Sequence, residues 1–481
     1  MRATKMPIFI ALAACFWVHP SLALEFKRCQ ISLEAHSIDA ECATLTRPEN
    51  PTKPDGKKID LFVTKLSAKT VDPAQDAFTL IQGGPGGSSV DMAITLAQML
   101  DMVRNKRDVI IIDQRGTGRS NKLACDVNEP SGSFDLKKIA EQTKACRAKL
   151  AANDLTAYTT SVAVQDLEAM RVAAGYEQLS LYGVSYGTRV AQHYMRRYPE
   201  QTRALIIDGV ADVGLNLAGA EIARRSQDAF DNIVTRCAKA EGCTSEHGDL
   251  KVKFSELRAR LAKQPQKLVF SHPRTGKQHT HTLTQYDLLG VVRLLPYSTE
   301  GTALLPMMIA QAHAGNYTPL AANVISNNEM LENSFATGMH NSVVCTEDAP
   351  FVKQGARAAT KNAYFGSMMI DAISTSCAHW PRGLMDDDFL EPFDSDAPVL
   401  VLSGETDPIT PPENGKRAAK MFSNSKHLIV PAQGHGVVGR GCVPFLVRDF
   451  LTNAEFDELN TECIERERAM PFFVDVIGPK P

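Results

Sequence analysis

The chain has 481 residues, 44% of them hydrophobic and 22% charged, with 26 prolines, 31 glycines and a formal net charge of −3. That balance is too apolar for a disordered chain and lacks the basic excess of a general nucleic-acid binder. The length suits several domains or one large α/β domain with an insertion, and eleven cysteines suit an oxidising compartment better than the cytosol.

The N-terminus reads as an export signal. Arg2 and Lys5 precede the apolar stretch 8–18, His19 and Pro20 break it, and Ser21-Leu22-Ala23 offers small residues for cleavage after Ala23. The stretch is shorter than the ~20 apolar residues of a membrane span. The expectation is a periplasmic or secreted protein with no stable membrane insertion. A competing reading takes Leu12-Ala13-Ala14-Cys15 as a lipoprotein box with Cys15 lipidated. In both readings ten cysteines remain. Proximity in sequence pairs them as Cys29–Cys42, Cys125–Cys146, Cys237–Cys243, Cys345–Cys377 and Cys442–Cys463. The short paired Cys/His spacings of a metal site do not occur, so neither a metal nor another cofactor is expected.

Short apolar, β-branched runs at 78–82, 109–113, 179–182, 204–208, 399–402 and 427–430 predict strands. Helical patterns lie at 89–103, 136–150, 162–174, 188–197, 413–421 and 443–451. The alternation predicts an α/β fold with a mostly parallel central sheet flanked by helices. Residues 213–390 break the rhythm with helical stretches at 218–240, 253–262, 286–295 and 302–314. They also hold a hairpin, 268–271 and 279–283, around Thr275-Gly276. The chain thus divides into a signal (1–23), an N-terminal core part (24–212), a largely helical insertion (213–390) and a C-terminal core part (391–481). His272, His279 and His281 fall on the hairpin, whose alternation reads as an exposed arm rather than a metal site.

The candidate chemistry sits where predicted strands end. Strand 78–82 runs into Gly83-Gly84-Pro85-Gly86-Gly87-Ser88, a loop whose backbone N–H groups can approach a substrate closely. Gly84 is the chosen oxyanion donor, with its neighbours as close rivals. A phosphate loop would end in Gly-Lys-Ser/Thr, and a dinucleotide loop would need a third glycine where Ser89 stands. Strand 179–182 runs into Gly183-Val184-Ser185-Tyr186-Gly187 and then a helix. That pattern sets Ser185 on a sharp strained turn as a nucleophile, with the Tyr186 N–H as a second oxyanion donor. Strand 399–402 leads to Asp407, and strand 427–430 leads to His435. Ser185, Asp407 and His435 then form a triad in chain order: His435 as base and later acid, Asp407 as the group that orients it. Glu405 is the rival acid and His427 the rival base.

The strings GGPGGS, DQRGTGRS (113–120), GVSYGT, GETDPITP and GHG resemble the exported α/β-hydrolase serine peptidases related to prolyl iminopeptidase, specifically their tripeptidyl-aminopeptidase-like branch. The likeness runs over about 54–463, and Cys345–Pro350 with Cys377–Pro381 also resembles that branch. It implies an α/β-hydrolase fold with the insertion as a helical lid. It also implies peptide substrates, cleaved to release short peptides or single residues from free N-termini. One departure is that Gln82 stands where prolyl iminopeptidases proper carry His, which weakens transfer of their single-proline specificity. An exopeptidase must hold the substrate α-ammonium, and Glu347 and Asp348, next to Cys345, are the candidate acids. Arg115 reads as support for buried carbonyls or Asp113. A carboxylic-ester hydrolase using the same triad, and a non-catalytic protein on the same fold, stay open as other classes.

Overall fold

A computed structural model describes residues 23–125, 134–475, 477 and 478. The expected signal, apart from Ala23, and Cys15 lie outside the described residues. One nine-stranded sheet organises the molecule. Its strands are β1 (Lys27–Leu33), β2 (His36–Pro48), β3 (Lys58–Leu66), β4 (Ala77–Ile81), β5 (Val109–Ile112), β6 (Leu179–Val184) and β7 (Thr202–Asp208). A separate hairpin pairs β8 (Gln266–Ser271) with β9 (Gln278–Leu283), and β10 (Val399–Gly404) and β11 (Ser425–Val430) complete the main sheet. The spatial order is β1-β2-β3-β5-β4-β6-β7-β10-β11. The β1–β2, β2–β3 and β3–β5 pairs are antiparallel, and from β5 onward all neighbours are parallel.

The parallel strands are apolar throughout because both faces are covered. In β5, Ile110 and Ile112 pack into one cluster and Val109 and Ile111 into the other; in β10, Val399 and Val401 oppose Leu400 and Leu402 in the same way. Val164, Leu167, Val190 and Tyr194, from helices Thr160–Ala174 and Tyr186–Arg197, cover the first face. Met99, Leu100, Leu446 and Phe450, from helices Ala97–Val103 and Val443–Asn453, cover the second. The helix expected over 89–103 is two helices, Ser89–Thr95 and Ala97–Val103, meeting at Leu96.

Among the described residues, nine α-helices, two short 3-10 turns and the β8–β9 hairpin lie between β7 and β10. Phe230, Leu257, Leu283, Leu289 and Ile309 form a core of their own there. The later part behaves differently, since Ala336, Met339, Val343 and Trp380 join the first cluster of the main sheet. The hairpin is not an exposed arm. His272 and His281 are buried, and Phe270 and Leu283 enter the insertion's core. His281 Nε2 lies 3.4 Å from Asp287 Oδ2, so alternation turns one face of the arm inward.

Disulfides join the five expected pairs: Cys29–Cys42, Cys125–Cys146, Cys237–Cys243, Cys345–Cys377 and Cys442–Cys463. They fit an oxidising, extracytoplasmic setting. Among the described residues, no helix is long and apolar enough to cross a membrane.

Candidate active site

Ser185 sits between β6 and helix Tyr186–Arg197 with φ 57° and ψ −126°, a conformation costly for any residue but glycine. The strain is held by neighbours. Ser185 N–H donates to Asp208 O at 2.9 Å, and Ser185 O accepts Thr188 N–H at 2.9 Å and the Thr188 hydroxyl at 2.6 Å. The flanking glycines answer to close approach, because a Cβ on Gly183 would strike Gly187 O and one on Gly187 would strike Ile81 O. The serine turn is thereby pressed against the end of β4, where the glycine-rich loop begins.

That loop is anchored at both ends. Gly83 N–H donates to Gln82 Oε1 at 2.8 Å, and the Ser88 hydroxyl donates to buried Asp113 Oδ1 at 2.8 Å. Asp113 also accepts the N–H groups of Val90 and Arg119, which ties the loop to the turn after β5. Gly84 and Gly86 have φ of 122° and 113°, which side-chain-bearing residues rarely adopt. Residues of the insertion close over them: Ala336 N–H donates to Gly86 O at 3.0 Å, and His340 Nδ1–H donates to Pro85 O at 3.2 Å. Gly84 N–H and Tyr186 N–H have no intramolecular acceptor among the described residues, the latter because it opens a helix.

The acid and the base meet. His435 Nδ1–H donates to Asp407 Oδ2 at 2.8 Å, leaving Nε2 as the unprotonated nitrogen of the neutral ring. Asp407 Oδ1 accepts Ile409 N–H and Thr410 N–H, both at 2.8 Å, and the Thr410 hydroxyl donates to Oδ2 at 2.9 Å. Burial opposes the charge on Asp407. His435 and these donors outweigh it and hold the carboxyl below its ordinary pKa. Burial likewise opposes a charged His435, yet Asp407 raises its pKa through charge and hydrogen bond, with Asp208 assisting and Arg293 opposing. The insertion touches this histidine directly. His435 N–H donates to Tyr297 O at 2.9 Å, and the Tyr297 ring meets the imidazole edge-on at 4.9 Å.

The rivals sit elsewhere. Glu405 Oε2 accepts Ala432 N–H, and His427 Nε2 lies 3.0 Å from the Ser403 hydroxyl. Burial and the nearby Lys416 push the His427 pKa down to about 4.

Glu347 and Asp348 are in the interior. Glu347 accepts Thr160 N–H at 2.7 Å and the Thr160 hydroxyl at 2.9 Å, with Arg189 3.6 Å away. Asp348 takes two bonds from Arg189, each 3.1 Å, and one from Leu217 N–H at 2.8 Å. Burial raises the Glu347 pKa to about 7 despite Arg189. An α-ammonium reaching either carboxyl would compete with these partners. Arg115, fully buried, grips Asp166 in two bonds and the carbonyls of Glu49 and Ala157, while Asp113 serves the glycine loop instead.

Asp208 has a place in the site that its sequence position as a strand end did not reveal. Its carbonyl receives Ser185 N–H, and its fully buried carboxyl receives Val437 N–H and Val438 N–H just after His435, and the Tyr182 hydroxyl. One residue thus holds both the serine turn and the histidine loop. Burial raises its pKa to about 6 against those donors. The only sequence signal was an Asp-Gly step closing an apolar strand.

A mostly parallel sheet with a serine turn after β6, and an acid and a histidine after β10 and β11, is the α/β-hydrolase fold, and its family description matches residues 76–300. A second, for TAP-like proteins, matches residues 362–463. The chain thus has the α/β-hydrolase fold and is similar to proteins named serine protease, tripeptidyl aminopeptidase and proline iminopeptidase. It is 25% identical over 469 residues to serine protease Hip1 of Mycobacterium tuberculosis, covering 88% of this chain and 87% of that protein. It is 24% identical over 484 residues to tripeptidyl aminopeptidase of Streptomyces lividans, covering 90% and 85%. Proline iminopeptidase of Xylella fastidiosa is 28% identical over 139 residues, covering 29% of this chain and 34% of that protein.

Proposed function

We propose that the protein is an exported serine exopeptidase that releases short peptides or single residues from free N-termini through Ser185, His435 and Asp407. The observation that carries the reading is the 2.8 Å contact of His435 Nδ1 with Asp407, which leaves Nε2 free to act as a base, while Asp208 ties the serine turn to the loop after His435. The names of the full-length relatives, a serine protease and a tripeptidyl aminopeptidase, support peptides as the substrate class.

His435 Nε2 takes the Ser185 hydroxyl proton as the oxygen attacks the scissile carbonyl. Gly84 N–H and Tyr186 N–H stabilise the oxyanion, each donor being worth ~100- to 1000-fold in turnover. The imidazolium, held by Asp407, then protonates the leaving amine as the C–N bond breaks and the acyl-enzyme forms. Water, deprotonated by the same histidine, releases the N-terminal product and regenerates Ser185. Residues 213–390 act as a lid that restricts access to chain ends; the contacts of Tyr297, Ala336 and His340 with the histidine and the glycine loop support this. The enzyme works outside the cytoplasm after loss of residues 1–23, a setting its five disulfides favour.

The test is hydrolysis of tripeptide amides with free or acetylated N-termini, alongside a neutral aryl ester. Free peptides are expected to be cleaved much faster than blocked ones. Equal rates, or cleavage of the ester alone, would point to an endopeptidase or a carboxylic-ester hydrolase.

A further inference from the structure

Arg293 lies in the last turn of helix Gln285–Leu294, within the insertion. Four residues later Tyr297 holds the His435 backbone and packs on its ring, so this helix end abuts the catalytic edge of the sheet. Arg293 Nε is buried without a hydrogen-bond partner, and its guanidinium makes no ion pair among the described residues. By contrast, buried Arg189 is neutralised by Asp348 and buried Arg115 by Asp166.

The Arg293 charge acts on His435 and Tyr297, on Tyr364, and on His340, whose ring donates to Pro85 O in the glycine loop. Helix Gln285–Leu294 thus delivers the guanidinium to the side of the site where Tyr297 holds His435. Cations suit a helix C-terminus, which accounts for part of its placement. That field does not give the buried Nε–H an acceptor, and a buried donor left unpaired is costly.

We propose that Arg293 binds a substrate carboxylate on the leaving-group side of the scissile bond. The carboxylate is either the free C-terminus of a short peptide or the acidic side chain of the leaving residue. The planar guanidinium fork matches a carboxylate. A cation here repels the substrate's α-ammonium, which must lie elsewhere in the cleft. His435 sets the side, because it hands its proton to the leaving amine. The inference rests on the peptidase reading and adds to it a preference for short, C-terminally free peptides or acidic leaving residues.

The experiment compares kcat/KM for tripeptidyl-alanine and prolyl-alanine as free acids and as amides, and for the corresponding glutamate amides. Wild type, Arg293→Gln and Arg293→Lys are measured side by side. Wild type is expected to favour carboxylate-bearing leaving residues by ~10- to 100-fold, the range for a hydrogen bond to a charged group. In Arg293→Gln the acid-to-amide ratio collapses toward one whatever the overall rate, and Arg293→Lys keeps part of it. Preference for the free acids identifies the C-terminus as the source, and preference for the glutamate amides identifies the side chain. No preference in wild type, or an unchanged ratio in Arg293→Gln, overturns the inference while leaving peptidase activity standing. If wild type cleaves no peptide but does cleave aryl esters, the peptidase reading fails instead. The same ratio, measured with carboxylated and neutral aryl leaving groups, then decides the role of Arg293 alone.

Discussion

Two carboxylate sites are buried to a similar degree in this protein and have opposite fates. Asp407 follows β10 and faces His435, whose other nitrogen has no partner among the described residues, so in the proposed mechanism its charge supports that nitrogen as a base. Glu347 and Asp348 close helix Thr337–Glu347 and face Arg189, Thr160 and Leu217, so their charges are consumed internally. Both stretches carry an aspartate within two residues of a proline in sequence. A carboxylate's chemical use thus depends on whether its partner has a second face to offer.

Asp407→Asn should lower turnover by ~10,000-fold with the fold intact, since an amide no longer selects the useful tautomer of His435. Peptide hydrolysis with parallel circular dichroism checks this, and a modest loss would transfer the acid role to another residue. Ser185→Ala should cost at least ~1000-fold by the same assay, and near-wild-type activity would remove the serine from the mechanism.

At the sealed site the expected loss is in stability. Arg189→Met leaves Asp348 and Glu347 buried without their cation and should destabilise by about 3–5 kcal/mol in denaturant unfolding. Little change there would mean that the cluster is open to solvent. The pH dependence separates the sites further. His435 must be neutral to act as base, and its pKa is raised, so kcat/KM should fall on acidification with a midpoint above the ordinary histidine value of ~6.5. Glu347 has a folded pKa raised to about 7, so its contribution to stability is present below ~4.3 and lost as pH rises through about 7. Glu347→Gln should therefore lower the melting temperature more at pH 5 than at pH 8, with the peptide KM little changed. A peptide-specific rise in KM at unchanged stability would instead return Glu347 to the role of ammonium anchor.

Much of this was legible in the chain itself. The parallel strands could be read because strands buried on both faces need uninterrupted apolar residues, as in Val109–Ile112. The half-exposed antiparallel strands β1 to β3 could not, because residues such as Lys27, Arg28 and Glu41 interleave with their apolar positions. Ser185, Asp407 and His435 stood out because each is set by a short local pattern at a strand end. Asp208, Thr410, Tyr297 and Arg293 did not, because each matters through a residue between 3 and about 230 positions away.

The sequence by itself determined the alternation of strand and helix, the strained serine turn, the order of serine, acid and base, and the cysteines paired as near neighbours. These depend on backbone preference and side-chain period within a few residues. Only the tertiary structure decided which carboxylates are spent. It joined Glu347 to Thr160 across 187 positions, Asp348 to Arg189 across 159, and Asp208 to the loop after His435 across 229, and it left Arg293 without a partner. Pairing inside a low-dielectric interior is a long-range outcome of packing, so composition pointed to an oxidising compartment while contacts assigned the charges.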